Sequence, residues 1–98
     1  MPSSVILLTT SVPSNVAVES NQREVKSWLA ALRVDYVEVD GANADNAARR
    51  SALWAAPGAT RAAYPSVFVD SGGGTRCIGN FEQLKELQEA GELASRLS

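Results

Sequence analysis

The chain has 98 residues, of which 45% are hydrophobic and 20% charged, and its formal net charge is −2. This length suits a single domain, residues 1–98, with one modest hydrophobic core. The composition is that of globular proteins rather than of disordered chains, and nothing in it indicates nucleic-acid binding. No window approaches 18 consecutive apolar residues, and the first four residues lack the basic start of a secretory signal. We therefore expect a soluble cytoplasmic protein with no membrane or nucleic-acid partner.

Cysteine and histidine usage excludes most redox and acid–base chemistry. Cys77 is the only cysteine, so the chain cannot form an intrachain disulfide or a two-cysteine redox centre. The sequence has no histidine, which removes the usual general base and the commonest metal ligand. We therefore predict no catalytic residue, no metal site and no cofactor.

The first half of the chain is typical of a β-α-β unit. Residues 5–8 form the apolar run Val-Ile-Leu-Leu, as in a strand buried on both faces, and Thr9 and Thr10 extend it. Apolar positions at helical spacing predict a helix over residues 16–33, and the alternating residues 36–40 predict a second strand. A connection of this length implies parallel pairing of the two strands.

A second helix is expected after a short loop. It covers residues 46–54, with Asp45 as its N-cap and Pro57-Gly58 as its stop signal. Arg49 and Arg50 on this helix are interpreted as a solvated face. The alternative is a patch for an anion or an acidic partner.

A proline-led hairpin follows the second helix. A ring without an N–H fits only the start of a strand, so we expect Pro65 to open the strand of residues 67–69. Residues 70–74 are rich in glycine and predict a turn, and residues 75–78 predict the antiparallel partner strand. No helix with a Lys-Ser or Lys-Thr start follows the turn, so it is interpreted as a hairpin turn rather than a phosphate loop.

The chain closes with a third helix, which gives the order β-α-β-α-β-β-α. Asn80 is positioned to cap this helix, and Gly91 is expected to break it before residues 92–97. Its apolar residues recur at three-residue spacing. The predicted inner stripe consists of Phe81, Leu84, Leu87 and Ala90.

This order and two motifs resemble the thioredoxin fold in its glutaredoxin form. Residues 63–68, Ala-Tyr-Pro-Ser-Val-Phe, are similar around the proline to the family's Thr-Val-Pro and apolar strand. Residues 79–84, Gly-Asn-Phe-Glu-Gln-Leu, resemble its Gly-Gly-x-Asp-Asp-Leu. The resemblance implies an α/β fold with a four-stranded mixed sheet flanked by helices. The cysteine motif of the enzymes is missing, because residues 9–16 contain only Thr, Ser, Val, Pro and Asn.

A narrower resemblance is to the SH3-domain-binding glutamic-acid-rich-like proteins, which also replace the cysteine motif. Thr10-Ser11-Val12 resembles the stretch that follows their first strand, and Val39-Asp40 resembles the end of their second. Residues 45–49, Asp-Asn-Ala-Ala-Arg, resemble the start of their second helix. The chain departs from the family in having no acidic tail. It also has no PxxP segment that would bind an SH3 domain.

The resemblance implies a groove beside a cis Tyr64–Pro65 bond, where the backbone of Tyr64 can pair with an extended peptide. The groove is expected between residues 9–15, residues 64–65 and residues 79–81. We predict a non-enzymatic adaptor or regulator that binds a protein or peptide there. The predicted groove residues are Thr10, Ser11, Val12, Tyr64, Pro65, Gly79, Asn80 and Phe81.

Two other functions stay open. The resemblance implies that backbone N–H groups of residues 79–83 could hold a glutathione carboxylate, with Ser11 or Ser14 polarising a thiol in a vestigial transferase. Helix capping by Asn80 with Gln83 explains the same residues without a ligand. The third option is a subunit whose partner surface lies on the helix faces, and the oligomeric state is open.

Three further residues are interpreted as structural. Cys77 lies mid-strand and is expected to pack as a small hydrophobe rather than act as a nucleophile. Trp28 is predicted to be part of the core. Trp54 is also interpreted as core, with partial exposure as the alternative because it lies near a helix end.

Overall fold

One of the two inner strands of the sheet, β1 (Ser4–Thr9), is buried from Val5 onward, as the apolar run predicts. The computed structural model describes residues 4–97. Residues 1–3, part of the stretch in which we expect no secretory signal, lie outside that range. The remaining elements are α1 (Val16–Ala31), β2 (Tyr36–Asp40), α2 (Ala47–Trp54), β3 (Ser66–Asp70), β4 (Thr75–Asn80), α3 (Phe81–Glu89) and α4 (Leu93–Arg96).

The four strands form one mixed sheet in the order β2-β1-β3-β4. β1 pairs in parallel with β2, as the β-α-β pattern predicts, and Leu8 lies opposite Val39. β3 pairs antiparallel with β1 and with β4. The predicted α/β architecture and element order are therefore confirmed.

The alternation of side chains along the strands divides the core between the two faces of the sheet. One face packs against α1, α3 and α4, and the other packs against α2. The first cluster comprises Val5, Leu7, Val25, Leu29, Val67, Val69, Leu84, Leu93 and Leu97. The second comprises Ile6, Leu8, Val39, Leu53 and Phe68.

Helix α1 ends at Ala31, two residues before the predicted end. Arg33 has a φ of 56°, and its N–H donates to the Ala30 carbonyl at 3.0 Å. The N–H of Val34 donates to the Leu29 carbonyl at 3.0 Å. These two bonds form a Schellman motif, which glycine usually terminates. The prediction to residue 33 was wrong because an arginine occupies the left-handed position.

The start of α2 also differs from the prediction. Asp45 does not cap it: the side chain of Asn43 accepts from the Asp45 N–H at 2.9 Å and caps a short 3₁₀ turn, Ala44–Asn46. The α-helix then begins at Ala47 without a side-chain cap. Asn43 and Asp45 are both good capping residues, and the structure uses Asn43, two residues before the predicted cap.

Helix α3 begins and ends close to the predicted positions. Asn80 and Gln83 form a capping box, and Gly91, with a φ of 71°, completes a Schellman motif. Leu84 is buried and Leu87 packs against the core, but Ala90 is exposed. The prediction of Ala90 in the inner stripe was wrong because the helix ends at Glu89.

Candidate functional site

A groove of about 480 Å³ opens where the β1–α1 loop, the segment before β3 and the start of α3 meet. Its lining combines apolar side chains, neutral polar ones and one carboxylate. The lining residues are Thr10, Val12, Ser14, Val18, Ala62, Ala63, Tyr64, Asn80, Phe81 and Glu82.

The β1–α1 loop is held by a buried glutamine of α1. Gln22 Oε1 accepts from the Thr10 N–H at 2.7 Å, and Gln22 Nε2 donates to the Thr10 carbonyl at 3.1 Å. The Thr10 hydroxyl in turn accepts from the Val12 N–H at 3.1 Å. Gln22 is only 8% exposed, so this pairing is shielded from water and fixes the loop against the helix.

Ser11 points away from the groove and anchors the loop to β2. Its N–H donates to Asp40 Oδ1 at 3.0 Å, and the same oxygen accepts from the Ala42 N–H at 2.9 Å. Hydrogen bonds from the Ser11 side chain and from the Ala42 and Ser11 backbones hold the pKa of the Asp40 carboxyl below its ordinary value. Ser11 therefore positions the loop rather than lining the groove.

The wall formed by Tyr64 rests on α2 and on the residue after β2. The Tyr64 ring meets the Trp54 ring edge-on, with centroids 5.5 Å apart, and the space beside Gly41 is filled by the Tyr64 phenol. Arg50 Nη1 donates to the Gly41 carbonyl at 2.7 Å, and its guanidinium lies 5.4 Å from the centroid of the Trp54 ring. The interpretation of Arg50 as a solvated side chain was wrong, because it braces this wall.

Burial also affects the chemistry of this wall. It raises the pKa of the Tyr64 phenol, against the opposing positive charge of Arg50. The phenol therefore stays neutral at physiological pH. Trp54 is half-buried, which agrees with the alternative interpretation of partial exposure and not with a core position.

The backbone next to the groove offers two free hydrogen-bonding groups. The Tyr64–Pro65 peptide bond is cis. Within residues 4–97, no hydrogen bond occupies the N–H or the C=O of Tyr64, although the backbone of Ala63 is bonded in both directions. A free donor and acceptor on one residue is what an added strand requires.

The start of α3 supplies the third side of the groove. The Asn80 N–H donates to Gln83 Oε1 at 3.0 Å, and the Gln83 N–H donates to Asn80 Oδ1 at 3.2 Å. The Phe81 ring stacks on the half-buried Trp28, with centroids 5.6 Å apart. Glu82 is exposed at the rim, and within residues 4–97 its carboxylate has no ion pair.

Five of the eight residues predicted for the groove line it, and three do not. Pro65 and Gly79 are buried beneath it, and Ser11 faces Asp40. A side chain at position 79 would collide with Gln83, so the glycine makes room for the capping box. The five lining residues are Thr10, Val12, Tyr64, Asn80 and Phe81.

The groove also includes residues outside the predicted set. Ser14 lies in the predicted loop, and Val18 lies in the first turn of α1. Ala62 and Ala63 carry no chemical signal in the sequence. Glu82 adds a carboxylate at the rim of the groove.

Cys77 lies away from the groove. It packs with the second cluster, on the α2 face of the sheet, and its N–H donates to the Pro57 carbonyl at 2.9 Å. Burial raises the pKa of the Cys77 thiol, which disfavours the reactive thiolate. Cys77 is therefore a packed side chain on the α2 face of the sheet.

The solved structures that match this chain in shape include the following two. An actin-interacting protein of C. albicans, Aip5, superposes with a TM-score of 0.70 and 16% identity, covering 97% of this chain and 88% of that one. A buckwheat glutaredoxin, solved as a glutathione complex, superposes with a TM-score of 0.63 and 20% identity, covering 97% and 76%. The fold is glutaredoxin-like. No protein-family model and no curated protein sequence matches the chain.

The groove lies at the junction of β1 and α1. There the chain has Thr10, Val12 and Ser14 and no cysteine. Within residues 4–97, no cluster of three or more His, Cys, Asp or Glu side chains could hold a metal. The helices in that range are all too short or too polar to cross a bilayer.

Proposed function

We propose that this chain is a non-enzymatic glutaredoxin-like adaptor that binds an extended peptide, or a segment of a partner protein, in the groove. The observation that carries the proposal is the free N–H and C=O of Tyr64 beside a sulfur-free groove with an apolar wall. An extended peptide would pair with this backbone as an added strand, and its side chains would contact Val12, Val18 and Phe81.

The position of the only thiol supports a binding role over thiol–disulfide exchange. Such exchange needs a thiolate that attacks a disulfide sulfur directly. Cys77 is packed on the α2 side of the sheet, its pKa is raised, and the groove contains only hydroxyl, amide and carboxylate groups. The hydroxyl of Ser14 cannot be activated as a nucleophile by a histidine, because the chain contains no histidine.

Two likenesses are consistent with a protein partner. The C. albicans neighbour, Aip5, is an actin-interacting protein. The sequence also resembles the cysteine-free SH3-domain-binding glutamic-acid-rich-like proteins, in which Thr10-Ser11-Val12 has a counterpart. An SH3 partner is not part of the proposal, because the chain has no PxxP segment.

A peptide selection with a blocked variant tests the proposal. Random peptides displayed on phage are selected on wild-type protein, and the enriched peptides are measured by calorimetry. Ser14→Trp fills the exposed mouth of the groove without touching the core. We expect this variant to weaken binding by about 10-fold or more, since a blocked pocket loses its central contacts.

Ser27→Trp is the matched control, because Ser27 is an exposed serine of α1 outside the groove. Its peptide affinity should stay within about twofold of wild type. Enriched peptides that bind all three proteins equally would place the binding surface elsewhere. Failure to enrich any peptide would count directly against peptide recognition.

Glutathione is the second candidate ligand, because the buckwheat neighbour was solved as a glutathione complex and α3 begins at the groove. The capping box already uses the N–H groups of Asn80 and Gln83, which leaves those of Phe81 and Glu82 in the first turn. The Glu82 carboxylate repels an anion at that position. We therefore rank glutathione second.

An amide-shift titration separates the two ligands. Labelled protein is titrated with glutathione to about 10 mM. At this concentration a site with a Kd of about 1 mM is mostly occupied. The peptide proposal predicts no saturable shift at Tyr64 or Phe81. Saturable shifts at both residues would instead support a glutathione site.

A further inference from the structure

The charge of the groove is set by one residue. Of its ten lining residues, Glu82 alone carries a formal charge, and no lysine or arginine is among them. Within residues 4–97, no cation lies in ion-pair distance of the Glu82 carboxylate. The groove therefore presents one uncompensated negative charge at its rim.

The groove also exposes an apolar side chain to solvent. Within residues 4–97, the large hydrophobic side chains that are exposed are Val12, Val16 and Val37. Val12 is 73% exposed and lines the groove, and Val16, 77% exposed, begins the helix that carries Val18. An exposed aliphatic side chain in the lining of a concave site, as Val12 is here, is typical of a binding surface.

From this pairing of charge and apolar surface we infer the class of ligand: an extended segment with an aliphatic side chain and a lysine or arginine two positions away. Residues i and i+2 of a strand point to the same side and lie about 7 Å apart. The aliphatic group would contact Val12, Val18 and Phe81, while the cation pairs with Glu82. This inference rests on the proposed function of the groove.

The charge of Glu82 is tested with three pools of capped heptapeptides. The pools share a Val, Ile or Leu position and differ only two residues later, where they carry Lys, Gln or Glu. Peptides retained by immobilised protein are quantified by mass spectrometry. We expect wild type to retain the Lys pool about 2- to 5-fold more than the Gln pool, the range of an exposed ion pair, and the Glu pool least.

Three variants isolate the carboxylate. Glu82→Gln keeps the side-chain shape and should reduce the Lys preference to less than about 1.5-fold, and Glu82→Lys should favour the Glu pool. Glu89→Gln makes the same change at an exposed residue of α3, about 10 Å further along the axis and beyond the screening length, and should behave as wild type. Thermal unfolding of each variant confirms that it is folded.

The outcomes separate this inference from the proposed function. Equal retention of the three pools by wild type, with retention abolished by Ser14→Trp, would overturn the charge selection and leave peptide binding intact. A Lys preference that survives Glu82→Gln would also overturn it. Retention of no pool above the Ser14→Trp background would overturn peptide binding itself, and the inference with it.

Discussion

Gly41 shows how a single residue sets the position of the groove wall. A Cβ at this position would overlap the Tyr64 phenol and lie 2.9 Å from Tyr64 Cε1. We expect Gly41→Ala to displace the ring and to lower the free energy of unfolding by about 1–3 kcal/mol, the usual cost of overpacking. Urea denaturation measures the change.

Gly73→Ala is the control for this prediction. Gly73 is exposed in the β3–β4 turn, and a Cβ there would have nothing within 4 Å. Its effect should stay within about 0.5 kcal/mol. Equal effects of the two substitutions would show that the Tyr64 ring moves freely and does not form a fixed wall.

Asp40, which binds the β1–α1 loop, should make the stability of the protein depend on pH. Its folded-state pKa is lowered, mainly by the Ser11 side chain, so its stabilising contribution is complete above the ordinary value of 3.8 and is lost as pH falls through the lowered value. Asp40→Asn keeps an acceptor oxygen but does not ionise. The wild type should be the more stable protein at about pH 7, and the difference should shrink well below pH 3.8. Urea titrations of both proteins measure it, and a difference independent of pH would contradict the assignment.

At the residue scale, local patterns were predictable and long-range contacts were not. The Asn80–Gln83 capping box follows from residues three positions apart, and the structure contains it. Arg50 was misinterpreted because its hydrogen-bond partner, Gly41, is brought to it by the path of the chain between β2 and α2. The burial of Gln22 was missed because a glutamine in a helix usually faces solvent.

Among the elements, the β1–α1 loop depends on α1 for its shape. Gln22→Ala would remove both hydrogen bonds to Thr10 and leave a buried N–H and C=O without partners. We expect a loss of about 2–4 kcal/mol of unfolding free energy, since each unsatisfied group costs about 1–3 kcal/mol. Faster hydrogen exchange at the Thr10 amide should accompany it.

Asn21→Ala is the matched change at the neighbouring position of α1. Within residues 4–97, the Asn21 side chain has no hydrogen bond, so its removal should change stability by less than about 0.5 kcal/mol. A Gln22→Ala protein as stable as Asn21→Ala, with the Thr10 amide still protected, would show that the loop does not depend on the glutamine.

Element types were predictable because periodicity and strand composition act locally. The C-terminal end of α1 and the start of α2 were not. Arg33 takes a left-handed conformation against its residue preference, and a 3₁₀ turn capped by Asn43 precedes α2. Leu93 and Leu97 pack in the core from a fourth short helix. The sequence predicted only that the chain continues over residues 92–97 after a break at Gly91.

For the whole molecule, the fold brings together three segments that are far apart in sequence. The motifs around the proline at residue 65 and the glycine at residue 79 identified two of them, because both motifs resemble those of glutaredoxins. The resemblance to glutaredoxins supplied the third, the β1–α1 loop. The volume of the groove and the free backbone of Tyr64 were not predictable, because both depend on how the three segments pack.

The thiol chemistry of the whole protein should be that of a packed cysteine. Burial raises the pKa of Cys77, so native protein should react with an aromatic disulfide reagent at about pH 8 at least about 10-fold more slowly than protein unfolded in urea. The disulfide reductase activity of the Cys77→Ser variant should equal that of wild type. Reductase activity that Cys77→Ser abolishes would contradict a redox-silent fold.

The most direct test of groove recognition is an amide-shift map of labelled protein titrated with a peptide from the selection. We predict saturable shifts at Val12, Tyr64 and Phe81, with the amide of Tyr64 moving downfield as its N–H gains an acceptor, and none around Val37 on the outer strand β2. Saturable shifts centred on Val37 or on the outer faces of the helices, with Tyr64 unmoved, would contradict it.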